Sequence, residues 1–379
     1  MNDKNKIESA FEKVEDKLEQ FGQNLGNVFE KLDDKLASLD DRLSGRRRER
    51  LERVYDGEEK PEDIILEIEG LHVSFKRPKT DVEKGEIRAI DGIDLRIVRG
   101  ETLGIVGESG CGKSTLARCI VGIYRPGIGE ILLNGENMLK GSTQERKKLI
   151  QRTGIIFQDP YGSMNPRMPI GEIVSEPLRS RASGGGKKER LLAAMNIMES
   201  CGLQADDLFK FPHQFSGGQR QRICIARALI AKPELVVCDE AVSALDVSIQ
   251  AQIINLLVEM RESRDLTLVF ISHDLDVVRF IADRIAVMYL GKIVEIARKD
   301  ELFANPKHPY TKMLLESAPV FGRPAVDADL TEDPELTADE LKTGCRFRNR
   351  CTLAKTECNE IEPELKQISK SHFSACIQM

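Results

Sequence analysis

An α/β fold with a largely parallel sheet and crossover helices follows from three features of the sequence. Short β-rich apolar runs alternate with helical stretches between about 63 and 300. One of these runs leads into a glycine-rich segment that ends in Gly-Lys-Ser and opens a helical stretch. Another ends in two adjacent carboxylates, Asp239 and Glu240. Strands alternating with helices predict parallel pairing, because two parallel neighbours need a crossover and a helix supplies it.

The 379 residues suit one large domain plus extensions. With 41% hydrophobic and 31% charged residues, the chain can bury a sizeable core beneath a polar surface. Its formal net charge of -6 weighs against a general nucleic-acid binder, which is basic overall. No uninterrupted apolar stretch reaches about 18 residues, so no transmembrane helix is expected. The polar, acidic start has no apolar core of a secretory signal. Any membrane role is therefore expected to come through partners.

Residues 1–62 read as an amphipathic helical or coiled-coil extension. Ile7, Phe11, Val14, Leu18, Phe21, Leu25, Val28 and Leu32 step by four and three alternately, and Leu36, Leu39 and Leu43 continue after a one-residue shift. Gly22 and Gly26 weaken such a helix by roughly 1 kcal/mol each. A coiled coil, a membrane-surface helix and a marginal helix resting on its neighbours all fit this pattern. The run Arg46, Arg47, Arg48, Glu49, Arg50 reads as a solvated face.

Residues 63–305 carry the alternating pattern. Segments 64–76 and 87–98 are close to strict alternation and predict an antiparallel edge sheet. The apolar runs Leu103 to Val106, Gly154 to Phe157, Leu235 to Cys238, Leu268 to Ile271 and Ile285 to Met288 predict the parallel strands. A helix-rich insertion spans about 163–232 and contains a loop at Ser183, Gly184, Gly185 and Gly186. Residues 306–379 read as a small appended module: Pro306 and Pro309, an acidic stretch around 326–340, then a cysteine cluster.

The segment Gly107-Glu108-Ser109-Gly110-Cys111-Gly112-Lys113-Ser114, followed by Thr115, has the spacing of a phosphate loop. It follows the run Thr102 to Val106 and precedes Thr115 to Val121, the strand and helix that such a loop requires. Glycines admit φ > 0, so successive N–H groups can turn inward around phosphate oxygens. The following helix adds its positive end. Lys113 is placed to reach the β- and γ-phosphates and the Ser114 hydroxyl to coordinate Mg²⁺. The acidic strand end supplies the complement: Asp239 for Mg²⁺ through water, and Glu240 as a general base toward the attacking water.

Ser216-Gly217-Gly218-Gln219 lies between these two elements and opens a helical stretch, Arg220 to Ala231. A hydroxyl, free N–H groups and a helix dipole make a second anion site. Two phosphate-binding ends far apart in one sequence suggest two chains meeting head to tail around each nucleotide. At this point the chain resembles the ABC ATPases, P-loop NTPases whose signature is Ser-Gly-Gly-Gln. The resemblance covers about 63–379. It implies that Gln158 is the Q-loop glutamine that contacts Mg²⁺ and senses membrane subunits. It implies that Ser243-Ala244-Leu245-Asp246 is the D-loop at a dimer interface, and that His273 contacts the γ-phosphate. Phe75 is the candidate for stacking on adenine. Ala241 stands where many relatives carry proline, and Phe215 replaces a common leucine; neither change removes a catalytic group.

Within that family, Pro306-Lys307-His308-Pro309-Tyr310-Thr311 and Cys345-Arg346-Phe347…Arg350-Cys351…Cys358…Cys376 resemble the oligopeptide/dipeptide importer branch. Phe215 to Gln219, Ala241 to Asp246 and Met288-Tyr289-Leu290-Gly291 are similar to its second, F-type ATPase. The nine cysteines divide unevenly: Cys111, Cys119, Cys201, Cys224 and Cys238 are scattered, as buried thiols are, whereas four crowd at C-x5-C-x6-C-x17-C. Four thiolates suit Zn²⁺ or an iron–sulfur cluster, and thiols that simply pack the tail, or pair as disulfides, remain an alternative. The resemblance implies a [4Fe–4S] cluster on Cys345, Cys351, Cys358 and Cys376. Arg346, Arg348 and Arg350 nearby would offset the charge of such a cluster and are equally at home on a solvated surface.

What the resemblance implies is an ATP- and Mg²⁺-dependent ATPase at the cytoplasmic face of a membrane. Its partners would be a second ATPase in a heterodimer, two permeases and an extracytoplasmic solute-binding protein, with no nucleic acid. Nickel or sugar import on nearly the same ATPase, and a soluble ATPase acting on nucleic acid or ribosomes, are the alternatives. The single cassette and ordinary-length helical insertion favour transport.

Overall fold

The computed structural model describes residues 51, 60–76, 86–181, 185–317 and 343–378. The heptad segment, the acidic stretch 326–340 and the tip of the glycine loop at 182–184 lie outside them.

The parallel sheet forms where the apolar runs predicted it. Strands β3 (Thr102–Val106), β7 (Leu235–Asp239) and β8 (Thr267–Ile271) are buried at every residue. Burial on both faces is what a continuous apolar run requires, in contrast to an alternating one. With β6 (Thr153–Ile156) and β9 (Arg284–Tyr289) they lie in the order β9-β3-β8-β7-β6, all parallel.

The alternating segments behave differently. β1 (Ile64–Lys76) and β2 (Glu86–Val98) pair antiparallel, and β1 also pairs with β4 (Ile128–Leu133), which turns into β5 (Glu136–Asn137). These four strands form an antiparallel sheet of their own beside the parallel one, as the alternation predicts. Their apolar faces, with Ile68, Ile90 and Ile93, pack with the phosphate-loop helix (Lys113–Ile120) and with Leu103, Val237 and Val269 of the parallel sheet. A separate sheet is the physical outcome of period-two patterning, since only one face of it can face the core. Leu51 closes one corner against Val98 and Ile64.

The second core joins the parallel sheet to the helical insertion, whose helices are Ile170–Arg179, Lys187–Ser200 and Gly217–Leu229. The C-terminal residues are continuous with the main sheet. β10 (Lys292–Arg298) pairs antiparallel with β9, and the hairpin β11 (Lys366–Ser369) and β12 (His372–Ser374) prolongs the sheet through β10.

That junction is held by a buried hydrogen-bonded pair, Glu295 and His372. His372 Nε2 donates to Glu295 Oε1 at 2.6 Å, and both side chains are inaccessible to solvent. The Glu295 carboxylate also accepts the N–H groups of Lys307 and His308 at 2.7 and 2.8 Å. Burial by itself pushes this carboxyl up, but the hydrogen bonds from His372 and the two amides win and hold it below its ordinary value of 4.5. Its stabilisation is therefore present above pH 4.5 and lost as the pH falls through the lower, folded-state value. Glu295→Gln should cost about 2 kcal/mol at pH 7. Chemical unfolding at stepped pH checks this: the gap to the wild type should close well below pH 4.5, and an unchanged gap in acid would contradict the assignment.

Candidate nucleotide site

The phosphate loop leaves the end of β3 at Gly107 and enters the helix Lys113–Ile120 through Gly112. Both glycines are forced. Gly107 has φ 150° and Gly112 φ 106°, and a Cβ would stand 2.1 Å from the Met288 carbonyl oxygen at the first and 2.2 Å from that of Ala89 at the second. Lys113 is buried, and its ammonium donates to the carbonyls of Gly107 at 2.6 Å and Glu108 at 2.7 Å. Ser109 and Gly110 are exposed, while Cys111 is buried and Ser114 and Thr115 are half-buried. The loop thus presents its rim to solvent and keeps its lysine inside.

Across from it, β7 ends at Asp239. Ser114 Oγ donates to Asp239 Oδ1 at 2.8 Å, joining residues 125 positions apart. Burial raises the Asp239 carboxyl above its usual range, and the Ser114 hydrogen bond offsets this only in part. A hydroxyl and a carboxylate in contact are hard oxygen donors of the kind Mg²⁺ takes. Such sites need only one or two protein oxygens, with phosphate and water completing the shell. The residues present therefore fit a magnesium–nucleotide complex.

Glu240 follows directly, at a positive φ of 49°. That conformation costs an ordinary residue about 1–2 kcal/mol. It turns the carboxylate away from the strand toward two neighbours. Gln158 Nε2 donates to Glu240 Oε2 at 2.8 Å, and His273 Nδ1 lies 3.6 Å from the same oxygen. The three come from the ends of three strands: Gln158 just past β6, Glu240 past β7 and His273 past β8.

Ser216 caps the helix Gly217–Leu229, its Oγ accepting the Gln219 N–H, while the Gln219 side chain accepts the Ser216 N–H. Ser216, Gly217 and Gln219 are exposed and Gly218 is buried. Asp246, at the N-cap of the helix Val247–Arg264, is exposed together with Ser243 and Ala244. Phe75 stands near the free end of the β1–β2 hairpin, its ring 5.3 Å from Tyr124 in an edge contact. No motif in the sequence marks Tyr124; the hydrogen bond from Arg118 at 3.1 Å places it beside the phosphate-loop helix.

The cysteines divide as their spacing suggested. The five scattered ones are all buried, and burial pushes the thiols of Cys119, Cys201 and Cys238 up to about 12. The tail thiols lie close enough that Cys358, Cys376 and Cys351 each raise the Cys345 thiol, after burial, to about 11. The expected [4Fe–4S] cluster is nevertheless not supported. Among the described residues no three His, Cys, Asp or Glu side chains converge as ligands of a metal ion. The Cys358 sulfur instead accepts the Lys355 N–H at 3.4 Å. The arginines have other partners as well: Arg346 pairs with Asp91 and donates to the Leu290 carbonyl, and Arg350 pairs with Glu108.

Comparison with known proteins agrees with this geometry. The family profile described as ABC transporter matches residues 90–243, and that of the oligopeptide/dipeptide transporter C-terminal region matches 294–358. The oligopeptide transport ATP-binding protein OppF of Bacillus subtilis is 49% identical over 318 residues, covering 83% of this chain and 96% of that protein. The OppF of Salmonella typhimurium is 43% identical over 334 residues, with the same two shares, 83% and 96%. Among solved structures, the ATP-binding cassette MJ0796 in its dimeric post-hydrolysis state with ADP and Pi aligns at TM-score 0.56 and 27% identity, over 62% of this chain and 99% of that one. The cbiO1 protein of Clostridium perfringens, part of an ABC transporter complex, aligns at TM-score 0.55 and 30% identity, over 64% and 92%.

Gly112→Ala tests the close approach. The strained φ costs about 1–2 kcal/mol before the Ala89 carbonyl is displaced, so the urea midpoint should fall. A midpoint equal to the wild type would mean that the loop can move aside.

Proposed function

This chain belongs to the ABC transporter family of ATP-binding proteins, and from that membership we propose that it is the ATP-hydrolysing subunit of a membrane importer of di- and oligopeptides. The observation that carries the hydrolytic reading is the meeting of Gln158 and His273 on one oxygen of Glu240, next to the Ser114–Asp239 contact.

In this reading Lys113 and the loop amides bind the β- and γ-phosphates, while Phe75 stacks on adenine. Ser114 and Asp239, with Gln158, would hold Mg²⁺, which neutralises charge on the phosphates. Glu240 accepts a proton from the attacking water, and the Gln158 amide keeps its carboxylate aimed. His273 donates toward the γ-phosphate. The exposed Ser216 turn and Asp246 face outward, as they must if they serve the nucleotide of a second ATPase subunit. In this reading that second subunit is a different chain.

No helix among the described residues is long and apolar enough to cross a membrane. In this reading separate permeases carry the peptide across the membrane, with this chain docked on their cytoplasmic side and a solute-binding protein delivering peptide. The ATPase unit is assigned to 63–305, with 1–62 and 306–379 as extensions. No transport step is assigned to the four tail thiols.

Glu240→Gln is expected to bind ATP as the wild type does and to hydrolyse it on the order of 10²–10⁴ times more slowly. Phosphate release by the assembled complex reads this, and full-rate hydrolysis at this chain's own site would remove Glu240 as the base. For transport, the complex is purified from native membranes in mild detergent. Two permeases and a second ATPase are expected beside this chain, and finding soluble partners alone would overturn import.

A further inference from the structure

The segment 345–351 takes no part in the chemistry above, yet it grips the phosphate loop. Arg350 meets Glu108 with both guanidinium nitrogens, Nη1 to Oε2 at 2.8 Å and Nη2 to Oε1 at 2.9 Å. This two-pronged pairing is the strong, orientation-fixing form of the contact. The Arg350 side chain is only 9% exposed, so solvent screens the pair weakly.

The rest of Glu108 is held from the same direction and from within. Its N–H donates to the Tyr310 hydroxyl at 2.9 Å, and its carbonyl accepts from Lys113. Tyr310 is fully buried, with its ring 4.6 Å from Tyr289 and 5.4 Å from Phe347. Arg350 lies 5.8 Å from the centre of the Phe347 ring. Arg346 anchors the same segment to Asp91, on β2 beside the loop. Carboxylate, amide and carbonyl of one loop residue are thus all fixed, two of the three by residues beyond 305.

A carboxylate within the loop that wraps the phosphates repels them unless its charge is met. We propose that Arg350 is a positioning residue of the nucleotide site: by neutralising Glu108 and pinning the loop, the C-terminal segment raises the affinity for ATP. The proposal rests on the reading of the Lys113 loop as the ATP site.

Equilibrium titration of the full-length chain with magnesium ATP separates affinity from the fraction of competent sites. Arg350→Ala is expected to raise Kd about tenfold at unchanged stoichiometry. In a Glu108→Gln background, where no charge needs a partner, the same change should move Kd by less than about twofold. Should Arg350→Ala not fold, Arg350→Lys takes its place; it keeps the charge but loses the fork, and a rise of about threefold is expected. An unchanged Kd, an equal effect in both backgrounds, or a lost fraction of sites at constant Kd would overturn the proposal, the last because it marks a merely structural prop. Failure of the unaltered chain to bind ATP would overturn both readings, whereas an unchanged Kd in the variant overturns this one alone.

Discussion

At the end of β3 the backbone turns between two carbonyl oxygens, that of Met288 beside Gly107 and that of Ala89 beside Gly112, and no side chain fits at either glycine. This close approach draws three parts of the fold together. Met288 lies on β9 of the parallel sheet and Ala89 on β2 of the antiparallel one, so the loop is wedged between the two sheets. Because both walls are backbone, they cannot yield as a flexible side chain would. The two glycines therefore fix where the loop leaves β3 and where it enters its helix. Lys113 is aimed inward, and Ser114 is delivered to Asp239 on the neighbouring strand but one.

The hydrolytic groups depend on the parallel sheet in the same way. Gln158 and Glu240 are 82 positions apart, and His273 lies further on, yet each of the three follows the C-terminal end of a strand in the adjacent series β6, β7, β8. Parallel strands place their C-terminal ends on one edge, which is why open α/β sheets bind ligands there. The strained backbone at Glu240 belongs to this arrangement. It is a local cost that sets the carboxylate between an amide and an imidazole.

The C-terminal segment changes meaning once placed. Read as sequence, Arg346 and Arg350 stood beside four cysteines and invited an account in terms of the cysteines' charge. In the fold they reach away from the thiols to Asp91 and Glu108, and the hairpin β11–β12 extends the sheet that carries the nucleotide site. The buried Glu295–His372 pair ties that hairpin to the segment Lys307–His308, next to Tyr310. The tail thus meets the phosphate loop at Glu108, whose carboxylate pairs with Arg350 and whose N–H donates to Tyr310.

The sequence by itself determined the elements and the chemistry that is local to them. Fully apolar runs became strands buried on both faces, alternating runs became a one-faced sheet, and the spacing of Gly107, Gly112, Lys113 and Ser114 was legible together with the strand and helix that flank it. Period and motif are short-range properties, so they can be read from the chain. The contact of Arg350 with Glu108 spans 242 positions, and that of Gln158 with Glu240 spans 82. No pattern in either neighbourhood specifies such pairings. Where the sheet of β1 and β2 would sit, and which partner each tail arginine would take, were decided by how two sheets and a hairpin pack around one loop, because burial makes every charge find whichever partner the packing brings within reach.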